Sequence, residues 1–353
     1  MKRHYLALDG LRGVAAITVV AHHLENEVSR GVGLFSAGYL SVDFFFALSG
    51  FVIAAAYEER FAAGMGLRAF LSVRLQRLYP MIFLGAWIAL ACALAVPNLG
   101  GSLPLMFAST LFLIPLLGGS GVLFTLNAAY WSLLFELAAN IAHVLLFRWS
   151  RTWVLVAGIV LSALVAIPVA YKFGHFGGGW STNNWWMAVI RVAFSYAVGV
   201  LAWRLHKAGR LPTFTAPFPV MAAAFVGAIV AASQLHAWWA DLVAVMLVFP
   251  PLLIAGVNAK EGRFTATVAV LGAVSYPLYA IHSPPVHLWG VYAPHNLASA
   301  LVMMVVMVAA AFACDRWYDG PVRRTVGRLL RRREAPTPAP ALADAGASGP
   351  PPL

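Results

Sequence analysis

Ten apolar runs of close to twenty residues each follow one another along the chain, at 7–24, 37–56, 79–97, 127–147, 152–171, 186–204, 217–234, 237–257, 264–284 and 297–315. An α-helix rises 1.5 Å per residue, so about 20 apolar residues cover the ~30 Å of bilayer hydrocarbon. The runs predict an all-α integral membrane protein with about ten transmembrane helices. Composition agrees, because only 10% of the 353 residues are charged and 61% are hydrophobic. A soluble domain would be about a quarter charged. Too few polar side chains remain to cover a water-facing surface, and lipid must be the solvent.

The net charge of +11 points away from nucleic acid once its distribution is read. Lys and Arg sit between the apolar runs and after Arg316, which is the positive-inside pattern. An eleventh apolar stretch, 103–117, is shorter and broken by Pro104 and Pro115. If it does not span, every basic group falls on one side of the membrane, so a short re-entrant or interfacial segment is expected there and both termini are cytoplasmic. Irregular backbone at that depth needs protein or a water-filled cavity around it. Cys92 and Cys314 each lie in an apolar run and read as packing residues, not a disulfide framework. The division expected is a transmembrane domain over 1–320, then a basic cytoplasmic segment and a disordered Pro/Ala-rich tail over 321–353.

Ionisable residues inside a span are functional candidates by default. Arg12 and His23 share the first span eleven positions apart, hence three turns and one face, ~16 Å apart in depth. A positive-inside anchor and an interfacial imidazole would give the same pattern. Asp9 reads as the cap of that helix. Asp43 opens the second span at a depth suited to orienting His23, or else complements the helix dipole. Ser49-Gly50 reads as a close-packing step between helices. Arg74 and Arg77, at i and i+3, put two guanidinium groups on one face, suited to phosphate oxygens or simply flanking the membrane. Glu136 lies well inside its span with no cation near it in sequence, and His143 shares its face, so the two can form a Glu–His pair, either functional or simply a satisfied buried polar pair. His282 ends its run at a depth comparable with His23. Trp180, Asn183, Asn184, Trp185 and Trp186 crowd the loop before 186, as an interfacial aromatic belt or a carbohydrate platform.

Leu8-Asp-Gly-Leu-Arg-Gly with His23, Val42-Asp-Phe-Phe-Phe-Ala-Leu-Ser-Gly-Phe, Arg74-Leu-Gln-Arg77-Leu-Tyr-Pro, Trp131-Ser-Leu with Glu136, and Ser275-Tyr-Pro-Leu-Tyr-Ala-Ile-His282 occur in that order on successive spans. Each is weak alone. Together they resemble the acyltransferase 3 family of membrane acyltransferases over roughly residues 5–320. After Glu136 this chain reads Leu-Ala-Ala-Asn, where many members carry a second acid and aromatics, so no substrate contact carries over to that stretch.

The resemblance implies an O-acyltransferase of the bacterial inner membrane, moving a short acyl group, usually acetyl from acetyl-CoA, onto a hydroxyl of a surface or secreted carbohydrate or glycolipid. Acyl-CoA is then a co-substrate, with no metal and no bound cofactor expected. On this reading His23 is the general base, with Asp43 or Glu136 supporting it. Arg12, Arg74, Arg77, Ser49, Trp131 and His282 line the substrate sites. The rival is an exporter that uses the buried charges as a path without chemistry. No internal repeat is evident, and repeats are common in transporters.

Overall fold

The computed structural model describes residues 5–29, 33–96, 101–118, 121–260 and 262–334. The tail expected to be disordered after Glu334 lies outside them. In chain order the helices are α1 Leu6–Leu24, α2 Ser41–Ala62, α3 Leu67–Ala95, α4 Leu103–Phe112, α5 Tyr130–Leu146, α6 Thr152–Phe173, α7 Trp185–Lys207, α8 Phe218–Leu235, α9 Trp238–Val243, α10 Phe249–Asn258, α11 Thr265–Ile281, α12 Ser283–Tyr292, α13 Leu297–Cys314 and α14 Gly320–Glu334. Among the described residues there is no strand, only an isolated bridge between Val122 and Ser181 that ties two loops together.

Among the described residues seven helices are long and apolar enough to cross a membrane, or eight if α11 and α12, bent by 62° at His282, count as one span. The expected count of about ten is not reached by this measure. The three runs that fall short are α1, the 17-residue α5, and the bent α11–α12 pair. They are the runs that carry Arg12 with His23, Glu136, and His282. Polar side chains and breaks in these segments lower their apolarity or their continuous length, as expected where a span serves a site rather than the lipid. The 103–117 stretch gives the ten-residue α4, about 15 Å long and too short to cross. The basic segment after 320 is helical through Glu334, continuing α13 through a π turn at Asp315–Asp319. Asp9 does not cap α1. It lies in the first turn and pairs with Arg12 at 2.8 Å.

The bundle is held by close helix crossings at small residues. Gly13 of α1 faces the Leu271 backbone of α11, while Gly50 of α2 and Gly199 of α7 each face the other helix's backbone, at Tyr196 and Ala47. The Ser49-Gly50 step is thus a packing site. At the periphery α6 buries only Ala166 and Ala170 and leaves Trp153, Leu161 and Leu164 exposed. A surface so apolar belongs against lipid. Asp43, Arg74, Arg191, Asp241 and His282 are all buried instead.

Candidate active site

The two ends of α1 open into two different cavities. Arg12 lines one of about 410 Å³, together with Asp9, Ser49, Arg74, Arg77, Glu136, Ser275, Tyr276, Asp319 and Arg323. Three of its four arginines are already engaged. Arg12 donates to Ser275 Oγ at 2.8 Å and the Gly272 carbonyl at 3.1 Å besides pairing with Asp9. Arg74 pairs with Glu136 at 2.9 Å, and Ser49 Oγ donates to the same carboxylate oxygen at 2.7 Å. Arg323 is held by both oxygens of Asp319. Arg77 makes no salt bridge among the described residues. Apolar side chains, among them Phe45, Phe46, Val52 and Ile53, line the rest of the chamber. An anion with a long, mostly apolar arm suits such a space.

His23 lines the second cavity, of about 450 Å³, with His22, Asn26, Tyr39, Trp131, Trp180, Tyr279 and His287. Its ring lies 5.0 Å from that of the buried His282 and makes no hydrogen bond among the described residues. His282 Nδ1 faces the carbonyls of Tyr279 at 2.9 Å and Leu278 at 3.2 Å. Carbonyls only accept, so Nδ1 carries the proton and Nε2 keeps its lone pair. That Nε2 is buried and has no partner. His22, its ring 5.4 Å from that of His23, is engaged by the backbone, donating to the Phe35 carbonyl at 2.9 Å.

A face carrying guanidinium groups at one end and unpaired imidazoles at the other suits transfer between an anionic donor and a neutral alcohol. The model of the family's acyltransferase domain matches residues 5–316. The chain belongs to the acyltransferase 3 family. It is 33% identical over 190 residues to "Protein 2 in picA locus" of Rhizobium radiobacter, a match spanning 49% of this chain and 96% of that protein. It is 23% identical over 201 residues to "Putative acetyltransferase ORF330" of Acidianus two-tailed virus, spanning 56% of this chain and 57% of that protein. No solved structure matches.

Within this acyltransferase 3 chain, the residues singled out by sequence divide cleanly. Arg12, Ser49, Arg74, Arg77 and Glu136 meet in the first cavity; His23, Trp131 and His282 stand at the second. Two pairings suggested by sequence are corrected. Asp43 does not reach His23: Arg191 of α7 takes it in a fully buried pair, Nη2 to Oδ2 at 2.6 Å. Arg191 also donates to Gly178 O at 2.7 Å and Tyr39 O at 2.9 Å, and its guanidinium lies 5.2 Å from the Trp131 ring. A monovalent imidazole could not satisfy a buried carboxylate as a guanidinium with several donors does. Asp43 therefore fixes the start of α2 and the 174–184 loop, which brings Gly177 and Trp180 to the second cavity. Nor does Glu136 pair with His143. His143 lies 3.3 Å from Glu58, which Arg204 also holds at 2.5 Å, and its other nitrogen meets Tyr196 Oη at 3.0 Å.

Sequence reasoning missed Arg191, Glu58, Arg204, Asp241 and Arg323. Arg191 had a visible signal, an arginine well inside the apolar run 186–204 rather than at its end. Asp241, which accepts from Tyr39 Oη at 2.6 Å and Phe176 N at 2.7 Å, was equally visible as an acid inside 237–257. Among the described residues no three His, Cys, Asp or Glu side chains converge as metal ligands.

Proposed function

We propose that the protein transfers a short acyl group, acetyl from acetyl-CoA, to a hydroxyl of a cell-surface or secreted carbohydrate at the bacterial inner membrane. The observation that carries the reading is that one helix face joins an arginine-lined cavity to a histidine-lined one. Family membership supports acyl transfer, and the acetyl donor draws further support from the name of the viral relative. With both termini cytoplasmic, the arginine cavity opens where acyl-CoA is made. Arg77 takes the donor's phosphate oxygens first, being the cation with no salt bridge, and Arg12 and Arg74 strengthen the field around them. The thioester then reaches along the apolar lining toward the imidazoles.

There His23 acts as general base. The acceptor oxygen bonds to the thioester carbonyl carbon as its proton passes to the imidazole. The C–S bond breaks, and the departing CoA thiolate takes the proton back. His282 fills the orienting place that sequence gave to Asp43, its Nε2 lone pair being available to fix the His23 ring. Mass spectrometry of surface glycans from cells lacking the gene, restored with the native gene, or restored with His23→Ala tests the reading. The native gene should return the acyl mass and His23→Ala should not. Acyl mass restored by the variant would remove His23 from the chemistry. Glycan moved across the membrane with no acyl product in any strain would favour export.

A further inference from the structure

Among the described residues Tyr279 of α11 is the one side chain that lines both cavities. Its phenol is fixed at both ends. The ring packs edge-on against Phe45 of α2, centroids 5.3 Å apart. The hydroxyl donates to the Ala129 carbonyl at 3.0 Å and is hydrogen-bonded to Ser132. The phenol's one proton goes to Ala129, so Ser132 donates its own to the phenol oxygen while its Oγ lies 3.2 Å from the same carbonyl, and the start of α5 braces the tyrosine from one side. On the other side the His282 ring lies 5.8 Å away. Phe45, Phe46 and Ser132 face the arginine cavity, Ala129 and Trp131 the histidine cavity. Swinging the phenol aside would leave the Ser132 hydroxyl and the Ala129 carbonyl buried with a partner fewer, which is costly in apolar surroundings.

We propose that Tyr279 is the residue that limits acyl-chain length, a fixed septum past which only a short acyl group fits. The inference rests on the acyl-transfer reading and adds the residue that decides the donor class. A thioester carbonyl must come within reach of His23, and the carbons beyond it must find room beside the phenol. Two carbons need little. Further methylenes meet a ring that packing and hydrogen bonds both hold, and each misfitted methylene in such a pocket changes selectivity by about 10- to 200-fold. The hydroxyl contributes by pinning the ring, and the ring is the obstacle.

Equilibrium binding of acetyl-CoA and hexanoyl-CoA to the purified full-length protein tests this without knowing the acceptor. The native protein should bind hexanoyl-CoA more weakly. Tyr279→Ala should bring the two affinities together by about tenfold or more, while Tyr279→Phe, which keeps the ring, should hold the native ratio. Should the alanine variant not fold, Tyr279→Leu carries the same comparison. Equal binding of both donors by the native protein, a native ratio in the alanine or leucine variant, or a phenylalanine variant that behaves like alanine would overturn the assignment. Failure of the native protein to bind either donor would instead strike the acyl-CoA reading beneath it.

Discussion

The two cavities are similar in size but are built on opposite electrostatic plans. At the arginine end nearly every charge has a counter-charge: Arg12 with Asp9, Arg74 with Glu136, Arg323 with Asp319. At the histidine end the reactive rings are kept clear of such partners, His23 with no hydrogen bond among the described residues and His282 with a bare Nε2. Asp43, the carboxylate that sequence offered to His23, is committed to Arg191, and Glu27, which lines the same cavity, pairs with His287. Burying an unpaired cation in a bilayer is expensive, so Arg12, Arg74 and Arg323 are held by carboxylates, and Arg77 is the cation left for an anion. An imidazole bears no obligatory charge and can wait unpaired. On the proposed reading one end exchanges ion partners and the other moves a proton.

Breaking the histidine end should have the largest effect. His23→Ala should reduce acyl transfer by about 10²- to 10⁴-fold, the usual worth of a general base, with acyl-CoA affinity unchanged. A parallel fall in affinity would erase the division of labour between the cavities. Next comes the pair that shapes the histidine end without joining its chemistry. Asp43→Ala leaves Arg191 buried and uncompensated, at a cost of about 3–5 kcal/mol of stability, read as a lowered Tm and a more protease-sensitive 174–184 loop. A variant of native Tm with no activity would return Asp43 to a direct role.

At the other cavity, Arg77→Ala should weaken acyl-CoA binding by about tenfold or more, since a charge-assisted hydrogen bond is worth about 1.5–3 kcal/mol, and should leave Tm alone. Arg74→Ala should weaken binding and lower Tm together, because Glu136 loses its cation. Equal Tm losses in the two variants would contradict the view that Arg77 is the unengaged cation. The smallest effect is expected midway between the ends. A methyl at Gly50 would press on the Tyr196 carbonyl, so Gly50→Ala should cost about 1–3 kcal/mol of stability, read as a lowered Tm, by pushing α2 from α7. Because the same crossing carries Ser49 toward one cavity and Asp43 toward the other, both donor affinity and loop protection should soften together.

What sequence could reveal follows from what a single helix knows about itself. Periodicity and run length located the helices, and helical phase put Arg12 and His23 on one face, where they open into the two cavities. Phase cannot name the neighbour across an interface. Asp43 meets Arg191 148 residues away, Arg74 meets Glu136 62 residues away, and Glu58 meets His143 85 residues away. Similar depth suggested His23 for Asp43 and a shared face suggested His143 for Glu136, and in each case the guanidinium of another helix, with more donors to offer, took the carboxylate. The count of about ten spans is not confirmed, for a related reason. A uniform apolarity rule treats every helix as facing lipid, whereas α1, α5 and α11 line the cavities. Arg323 was hidden in what read as a basic tail, though Asp319 and Arg323 stand at the i, i+4 spacing of a helical ion pair.

An experimental structure of the protein with a non-hydrolysable acetyl-CoA analogue tests the whole account most directly. Its phosphate groups should rest against Arg77 and its thioester carbonyl should face His23, with the acetyl methyl against the Tyr279 ring. Phosphates bound among the histidines, or an acyl arm leaving the arginine cavity toward lipid, would contradict it.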